Sequence, residues 1–318
     1  MLNLNKEIEG AKTIGISGHI RPDGDCVGST MALYLYLKKT RPDIDVHIFL
    51  EKPADIFSCI KDIDKIEDAE NKDYEFDMFF ALDCGKERLG AAEHLFDAAK
   101  RTVNIDHHVS NPGTGDYNYI DPNASSASEL IYDLVDLEKI DADIALALYI
   151  GIIHDTGVMQ YSNTQPKTLV AVSKLIGFGF DFPAIIQETF YQKSFLQYKL
   201  SGAASNNAKL LMDGKVSVSH IDLATIEECG ASSHDFDGIV NQLLNIKGVD
   251  VSIFMYELPT GEYKVSLRSN GTINVARVTE NFGGGGHVRA AGCTVKGSFS
   301  EVTDSLTANI SAQYKELM

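Results

Sequence analysis

Residues 18–29 read GHIRPDGDCVGS and follow the apolar run TIGIS at 13–17. Three potential cation ligands, His19, Asp23 and Asp25, fall close together among glycines and a proline. Taken alone, such a stretch fits a solvated turn, because Pro, Asp and Gly are common turn formers. A calcium-loop reading fails, since the bidentate glutamate position would fall on Tyr34. The surroundings change the reading. A strand-like run, a polar turn and a helical pattern over 27–39, with Met31, Leu33, Leu35 and Leu37, open a parallel α/β sheet.

The arrangement recurs along the chain. Further strands are expected at 46–50, 76–82 and 102–105. Asp83 ends the third strand (FFALDCG), and Asp106, His107 and His108 end the fourth (VNIDHH). Ser126 and Glu129 have capping-box spacing ahead of a helix carrying Leu130, Ile131, Leu134 and Val135. Asp143 is expected to cap the next helix, which ends at His154-Asp155-Thr156-Gly157. In a parallel sheet the carboxyl ends of all strands share one edge, where ligands bind, so these acids and histidines are expected to converge. Carboxylate and imidazole donors without a thiolate pattern favour Mn²⁺ or Mg²⁺ over zinc. A carboxylate shared by two cations, best placed at Asp83, would let them activate one water and neutralise a phosphoryl group. His47, His94, His220 and His234 have no such company and are read as structural or surface residues.

The chain has 318 residues, 44% of them hydrophobic, which suits two folded domains. A formal charge of −17, from 28 basic and 45 acidic residues, argues against coating long nucleic acid. A small phosphate-bearing ligand remains compatible with it, because a few local cations reverse the field in one cleft. Most of the acid excess lies in residues 1–200, with 19 basic and 32 acidic, against 9 and 13 in residues 201–318. Five scattered cysteines point to free thiols in a reducing compartment. The first residues lack the blocks of a signal peptide, and the longest apolar run, 144–153, is too short to span a bilayer. A cytoplasmic protein with no membrane partner is expected. Residues 184–212 read as a polar helical connector, followed by strands at 216–221, 251–257 and 263–268. Gly261 sits in a turn that makes the last two antiparallel. The run Gly283-Gly284-Gly285-Gly286-His287 lacks the Lys-Ser/Thr of a P-loop, but His287 and Arg289 put donors beside closely approachable backbone.

With these pieces in order, the sequence resembles the DHH phosphoesterase family in its two-domain DHH–DHHA1 form. GHIRPDGDCVGS, ALDCG (81–85), NIDHHVSN (104–111) and GIIHDTG (151–157) resemble the four N-terminal motifs. SLRSN (266–270) and FGGGGHVRAAG (282–292) resemble the substrate-binding motifs of the C-terminal domain. The resemblance implies an α/β fold: a parallel-sheet DHH catalytic, metal-binding domain at 1–185, a helical connector at 186–212, and a smaller α/β DHHA1 substrate-binding domain at 213–318. The active site would lie in the interdomain cleft. It implies two Mn²⁺ ions, with Mg²⁺ the alternative: His19 and Asp23 on one, Asp25, His107 and Asp155 on the other, and Asp83 bridging. Asp106 would orient His107, and His108 would meet the scissile phosphate or its leaving group. Arg268, Ser269, Gly284, Gly285, Gly286 and His287 would hold the distal phosphate or nucleotide. Met159 stands where the family often has an aromatic residue, a departure expected to affect packing alone.

Within the family, the likeness points to the type that degrades short oligoribonucleotides to mononucleotides and converts pAp to AMP by two-metal hydroxide attack. The expected partners are short RNA, pAp or a dinucleotide, with association as a homodimer left open. A cyclic di-AMP or pApA phosphodiesterase of the same architecture is the nearest alternative. An inorganic pyrophosphatase would carry a Lys/Arg-rich C-terminal domain instead of the GGGGH run. The RecJ-type exonucleases are longer. A non-catalytic nucleotide sensor would have no need of both Asp83 and His107.

Overall fold

Short apolar strands alternate with helices over the first half of the chain, and each strand edge pairs in parallel with its neighbour. In a computed structural model, which describes residues 4–317, the chain divides into two units between Gln192 and Lys193. The first contains β1 (Thr13–Ser17), β2 (Asp45–Phe49), β3 (Met78–Leu82), β4 (Thr102–Asp106) and β5 (Tyr117–Ile120). Its helices are α1 (Leu4–Glu7), α2 (Gly24–Thr40), α3 (Glu93–Ala98), α4 (Ala127–Leu134), α5 (Ala142–Asp155), α6 (Pro166–Ile176) and α7 (Phe182–Ile186). The five strands form one parallel sheet in the order β2-β1-β3-β4-β5. In doubly wound sheets of this order the chain reverses its winding between β1 and β3, which opens a crevice at their carboxyl ends. His19 and Asp83 follow those two strands.

The central strands are buried on both faces. One face packs Ile14, Ile16, Ile48, Phe80 and Val103 against α2 and α4, with α5 packed on those two helices. On the other, Phe49, Phe76, Phe79 and Phe96 make an aromatic cluster of mostly edge-on rings. The two long helices touch backbone to backbone. A Cβ on Gly28 of α2 would lie 2.6 Å from the Ala147 carbonyl oxygen and 2.7 Å from the Gly151 nitrogen of α5. This contact fixes the spacing of Asp25 and Asp155, which those helices carry.

Two local expectations need correction. Asp141, not Asp143, caps α5: its carboxylate accepts the Ile144 amide at 3.1 Å, while Asp143 pairs with Lys61 at 2.6 Å. Ser126 does cap α4, accepting the Glu129 amide at 3.0 Å, but the reciprocal half of the box is absent. Glu129 instead accepts hydrogen bonds from Ser125 and Thr168 and pairs with Lys167 at 2.9 Å. Glu129 is 1% exposed, so its carboxylate takes partners from within the fold. The half-exposed edge strand β5 has too little apolar alternation to be read from sequence.

The second unit contains β6 (Lys209–Leu211), β7 (Val216–Ile221), β8 (Val251–Glu257), β9 (Glu262–Ser269), β10 (Gly285–His287) and β11 (Ala290–Lys296). These form a mixed six-stranded sheet in the order β10-β11-β9-β8-β7-β6. The expected β8–β9 hairpin is antiparallel, with Gly261 at φ 75° in its turn. Helices α8 (Phe195–Asn206) and α10 (Ile239–Leu244) cover one face through Leu200, Ala204, Ile239 and Leu243. Helices α11 (Val275–Glu280) and α12 (Phe299–Glu316) cover the other, with α9 (Leu223–Cys229) following β7. Of residues 184–212, those from Lys193 onward belong to this unit, because α8 buries Leu200 and Ala204 in its core. Asp250 ties α12 to the sheet, accepting from Tyr314 at 2.8 Å and Asn270 at 2.9 Å, with Lys215 at 3.4 Å.

Gly28→Ala is expected to push α2 and α5 apart and destabilise the first unit by about 1–3 kcal/mol, read as a lower Tm. At Asp250, burial disfavours the charge, but Tyr314, Asn270 and Lys215 outweigh it and hold the carboxyl below its ordinary range. The contact therefore stabilises the fold above that range and is lost as pH falls through the lowered folded-state value. Asp250→Asn is expected to lower stability at neutral pH and to flatten the acid limb of a Tm–pH profile.

Candidate active site

The site is assembled at the carboxyl edge of the first sheet. After β1, the loop turns through Arg21 at φ 55°, and Asp23 caps α2 by accepting the Asp25 and Cys26 amides at 3.1 Å each. The PDGD turn and the helix start are thus one device. His19, 5% exposed, donates from Nδ1 to the Ile20 carbonyl at 2.9 Å, which turns Nε2 towards the site. His19 Nε2 lies 3.7 Å from Asp23 Oδ1 and 3.4 Å from Asp83 Oδ2.

Asp83 stands in a left-handed turn, φ 60°, just past β3, a conformation Asp tolerates better than most residues. Its second oxygen, Oδ1, lies 3.4 Å from His107 Nε2, which is also 3.5 Å from Asp155 Oδ2. Asp25 is 1% exposed and accepts the Ala127 amide at 2.6 Å and the Ser128 amide at 2.9 Å, both at the start of α4. Possible ligand atoms fall into overlapping sets, each within 4.8 Å: His19, Asp23 and Asp83; Asp25, His107 and Asp155; and Asp83, Asp106, His107 and His108. Asp83 belongs to two of the three.

Asp106 does not orient the His107 ring. Its Oδ1 accepts the His107 amide at 2.7 Å and the His108 amide at 3.1 Å, and also His108 Nδ1 at 2.7 Å. A carboxylate at the end of a strand folds back onto the next amides, so it reaches the ring two residues on and leaves the His107 ring free to turn inward. Its other oxygen accepts from Asn111 at 2.6 Å, and Asn111 is itself bound to Asn104 at 3.0 Å. Asn163, absent from the sequence reading, donates to the Ser125 carbonyl at 2.8 Å and to Asp155 at 3.0 Å and 3.3 Å. Asn111 lay inside a quoted motif, but Asn163 carried no local signal. His47 and His94 lie outside these sets, bound to Glu67 and to backbone carbonyls respectively.

The protonation pattern reflects crowding. Burial disfavours charge on His19, yet Asp23 and Asp83 outweigh it and lift the imidazole to about 10. His107 rises to about 10 in the same way, against burial, beside Asp83, Asp25 and Asp155. Burial, together with Asp83 and Asp155, pushes the Asp25 carboxyl well up, and burial raises Asp155 to about 6. Asp106 raises His108, with burial opposing. Buried carboxylates that repel one another and lean on histidines form a site made for positive charge. Asp83 Oδ1 and His107 Nε2 are both buried without a hydrogen-bond partner. Such orphans are costly unless a further group satisfies them, and divalent cations between oxygen and imidazole donors would do so. The residues present fit that group.

In the second unit, the other residues singled out from sequence share one end of the sheet. His287 pairs with Ala290 and Ala290 with Arg268, so the histidine and arginine lie level across β11. Gly285, Gly286 and His287 are exposed and Gly284 is half-buried. Ser269 is 4% exposed, and its hydroxyl oxygen accepts the Gly271 amide at 3.0 Å and the Ile273 amide at 3.3 Å. That hydroxyl shapes the turn after β9.

A doubly wound sheet with a carboxylate–imidazole centre at its switch point, followed by a mixed-sheet unit, suits an α/β enzyme that works through bound cations. The chain belongs to the DHH family: the model for the DHH family N-terminal domain matches residues 13–152, and that for the DHHA1 domain matches residues 213–316. It is 29% identical, over 92% of its length and 86% of the relative's, to the bifunctional oligoribonuclease and PAP phosphatase NrnA of Thermus thermophilus. It is 26% identical to the cyclic-di-AMP phosphodiesterase PdeA of Listeria monocytogenes, covering 98% of this chain and 49% of that one. A crystal structure of an exopolyphosphatase-related protein from Bacteroides fragilis superposes with a TM-score of 0.90 at 26% identity, covering 99% of this chain and 96% of that one. Among the described residues, no helix is long and apolar enough to cross a membrane.

Adding Mn²⁺ in 100-fold excess over its Kd to metal-free protein is expected to stabilise it by about 2.7 kcal/mol, read as a rise in Tm. Asp83→Asn, which keeps the shape and removes the charge, is expected to lose most of that rise.

Proposed function

We propose that the protein hydrolyses phosphoester bonds in short oligoribonucleotides and in pAp, releasing mononucleotides and AMP. The observation that carries the reading is the carboxylate of Asp83, one oxygen towards His19 and the other towards His107, each beside a further acid. His19 and Asp23 are the proposed donors on one side and Asp25, His107 and Asp155 on the other, with Asp83 shared. With oxygen and nitrogen donors and no thiolate, the set suits Mn²⁺, with Mg²⁺ as the alternative. Divalent cations at such donors supply Lewis-acid stabilisation of phosphoryl charge and an acidified water.

The chain's own groups do the rest. Asp106 favours the protonated form of His108 and orients the ring through Nδ1, so an Nε2–H is placed to donate to a phosphoryl or leaving-group oxygen. Asn163 and the α4 amides hold Asp155 and Asp25 still, which limits reorganisation during the reaction. Arg268, His287 and the Gly284–Gly286 backbone are the proposed grip on the distal phosphate or nucleotide. Relatives bearing oligoribonuclease and PAP phosphatase names over most of this chain support the substrate class.

The test is a Mn²⁺-dependent panel of di- to pentaribonucleotides, pAp, pApA, cyclic di-AMP and pyrophosphate. Short RNA and pAp are expected to turn over fastest, and dominance of cyclic di-AMP would reverse the assignment. Asp83→Ala is expected to abolish all turnover. Arg268→Ala is expected to raise KM with a smaller effect on kcat, by the loss of a charge-assisted contact of about 1.5–3 kcal/mol.

A further inference from the structure

Beside His19, at the carboxyl edge of the sheet, the first unit has a cavity of about 650 Å³, within the size range of small-molecule sites. We propose that it binds a nucleobase of the substrate and prefers bases that carry an amino group. This rests on the reading of the neighbouring centre as a nucleotide phosphoesterase.

The cavity has two parts. Its apolar floor includes Phe49, Leu50, Leu89 and Ala92, all buried, and it opens beside His19. Its outer lining includes Glu51, Asp68 and Glu70, all exposed. Lys52, the single lysine or arginine among the lining residues, is paired with Asp55 at 3.4 Å. A phosphate is therefore repelled from this space, and a bare cation finds no ligands on its floor. A flat heteroaromatic ring suits the floor, and an N–H edge suits the carboxylates. A phosphate attached to that ring would be left outside, on the His19 side.

Hydrogen bonds tie both walls to the loop that carries His19 and Asp23. Glu51 accepts the Arg21 amide at 2.7 Å, and the Ile20 amide donates to the Arg88 carbonyl at 2.9 Å. The cavity and the candidate centre are thus braced against one another, as a base and its own phosphate require. Cytosine, adenine and guanine each present an amino donor edge, and carboxylates accept from such edges; uracil presents carbonyl oxygens there. Discrimination of about 5- to 150-fold corresponds to one good two-point base contact.

The experiment measures kcat/KM for CpC, CpU, UpC and UpU with the full-length, Mn²⁺-loaded protein. A preference of about 10-fold or more for cytosine over uracil at one of the two positions is expected. In Glu51→Gln/Glu70→Gln that ratio is expected to fall towards one. Equal rates on all four substrates, or a ratio unchanged in the double variant, would overturn the inference while leaving the phosphoesterase reading intact. No turnover of any of them, or of pAp, would sink that reading instead. A binding readout is independent of turnover: the chain has no tryptophan, so Ala91→Trp, on the exposed rim, puts a lone indole at the cavity. CMP is expected to change its emission at lower concentration than UMP, with ribose 5-phosphate silent; an equal response to all three rejects a base site.

Discussion

One carboxylate, Asp83, faces histidines on both sides, and the centre depends on it. Its oxygens lie 3.4 Å from His19 Nε2 and 3.4 Å from His107 Nε2, so two sets of donors share one residue. The cost of that arrangement is visible around it. Asp25 is driven towards the neutral form by burial, Asp83 and Asp155, and Asp155 by burial, Asp83 and Asp23, while both histidines are driven towards the charged form. A cluster of this kind holds together through positive charge, carried by protons on the histidines or by divalent ions that take their place.

The rest of the first unit keeps these groups from relaxing apart. Backbone contact between α2 and α5 at Gly28 and Gly151 sets the distance between the helices bearing Asp25 and Asp155. The first amides of α4 take both oxygens of Asp25, and Asn163 links Asp155 to the segment that leads into α4. Buried Glu129, bound to Ser125, Thr168 and Lys167, anchors that same segment. Close helix packing and buried polar contacts thus hold several of the site residues in place, the usual condition for preorganised electrostatics.

Much of this was legible in the residues. Strand–turn–helix punctuation placed β1 to β4 within a few positions, and the acids after those strands were expected at one edge because parallel strands end together. The misses share a cause. The edge strand β5, the role of Asp141 in place of Asp143 and the placement of α8 each depend on what a segment packs against, which local pattern does not encode. The partner of Asp106 is the sharpest case. Adjacent histidines are equivalent in sequence, and only the fold-back of the strand end gives His108 the carboxylate and turns the His107 ring inward.

The sequence by itself determined the order of the elements, the parallel sheet and the identity of the donor residues, because short-range periodicity and residue chemistry survive without a structure. Only the tertiary structure decided how those donors divide around Asp83, which buried atoms lack partners, and that Asn163 and the α4 amides hold the acids in place. It alone revealed a cavity beside His19. Distances of a few ångströms between residues far apart in the chain arise from packing and leave no trace in spacing.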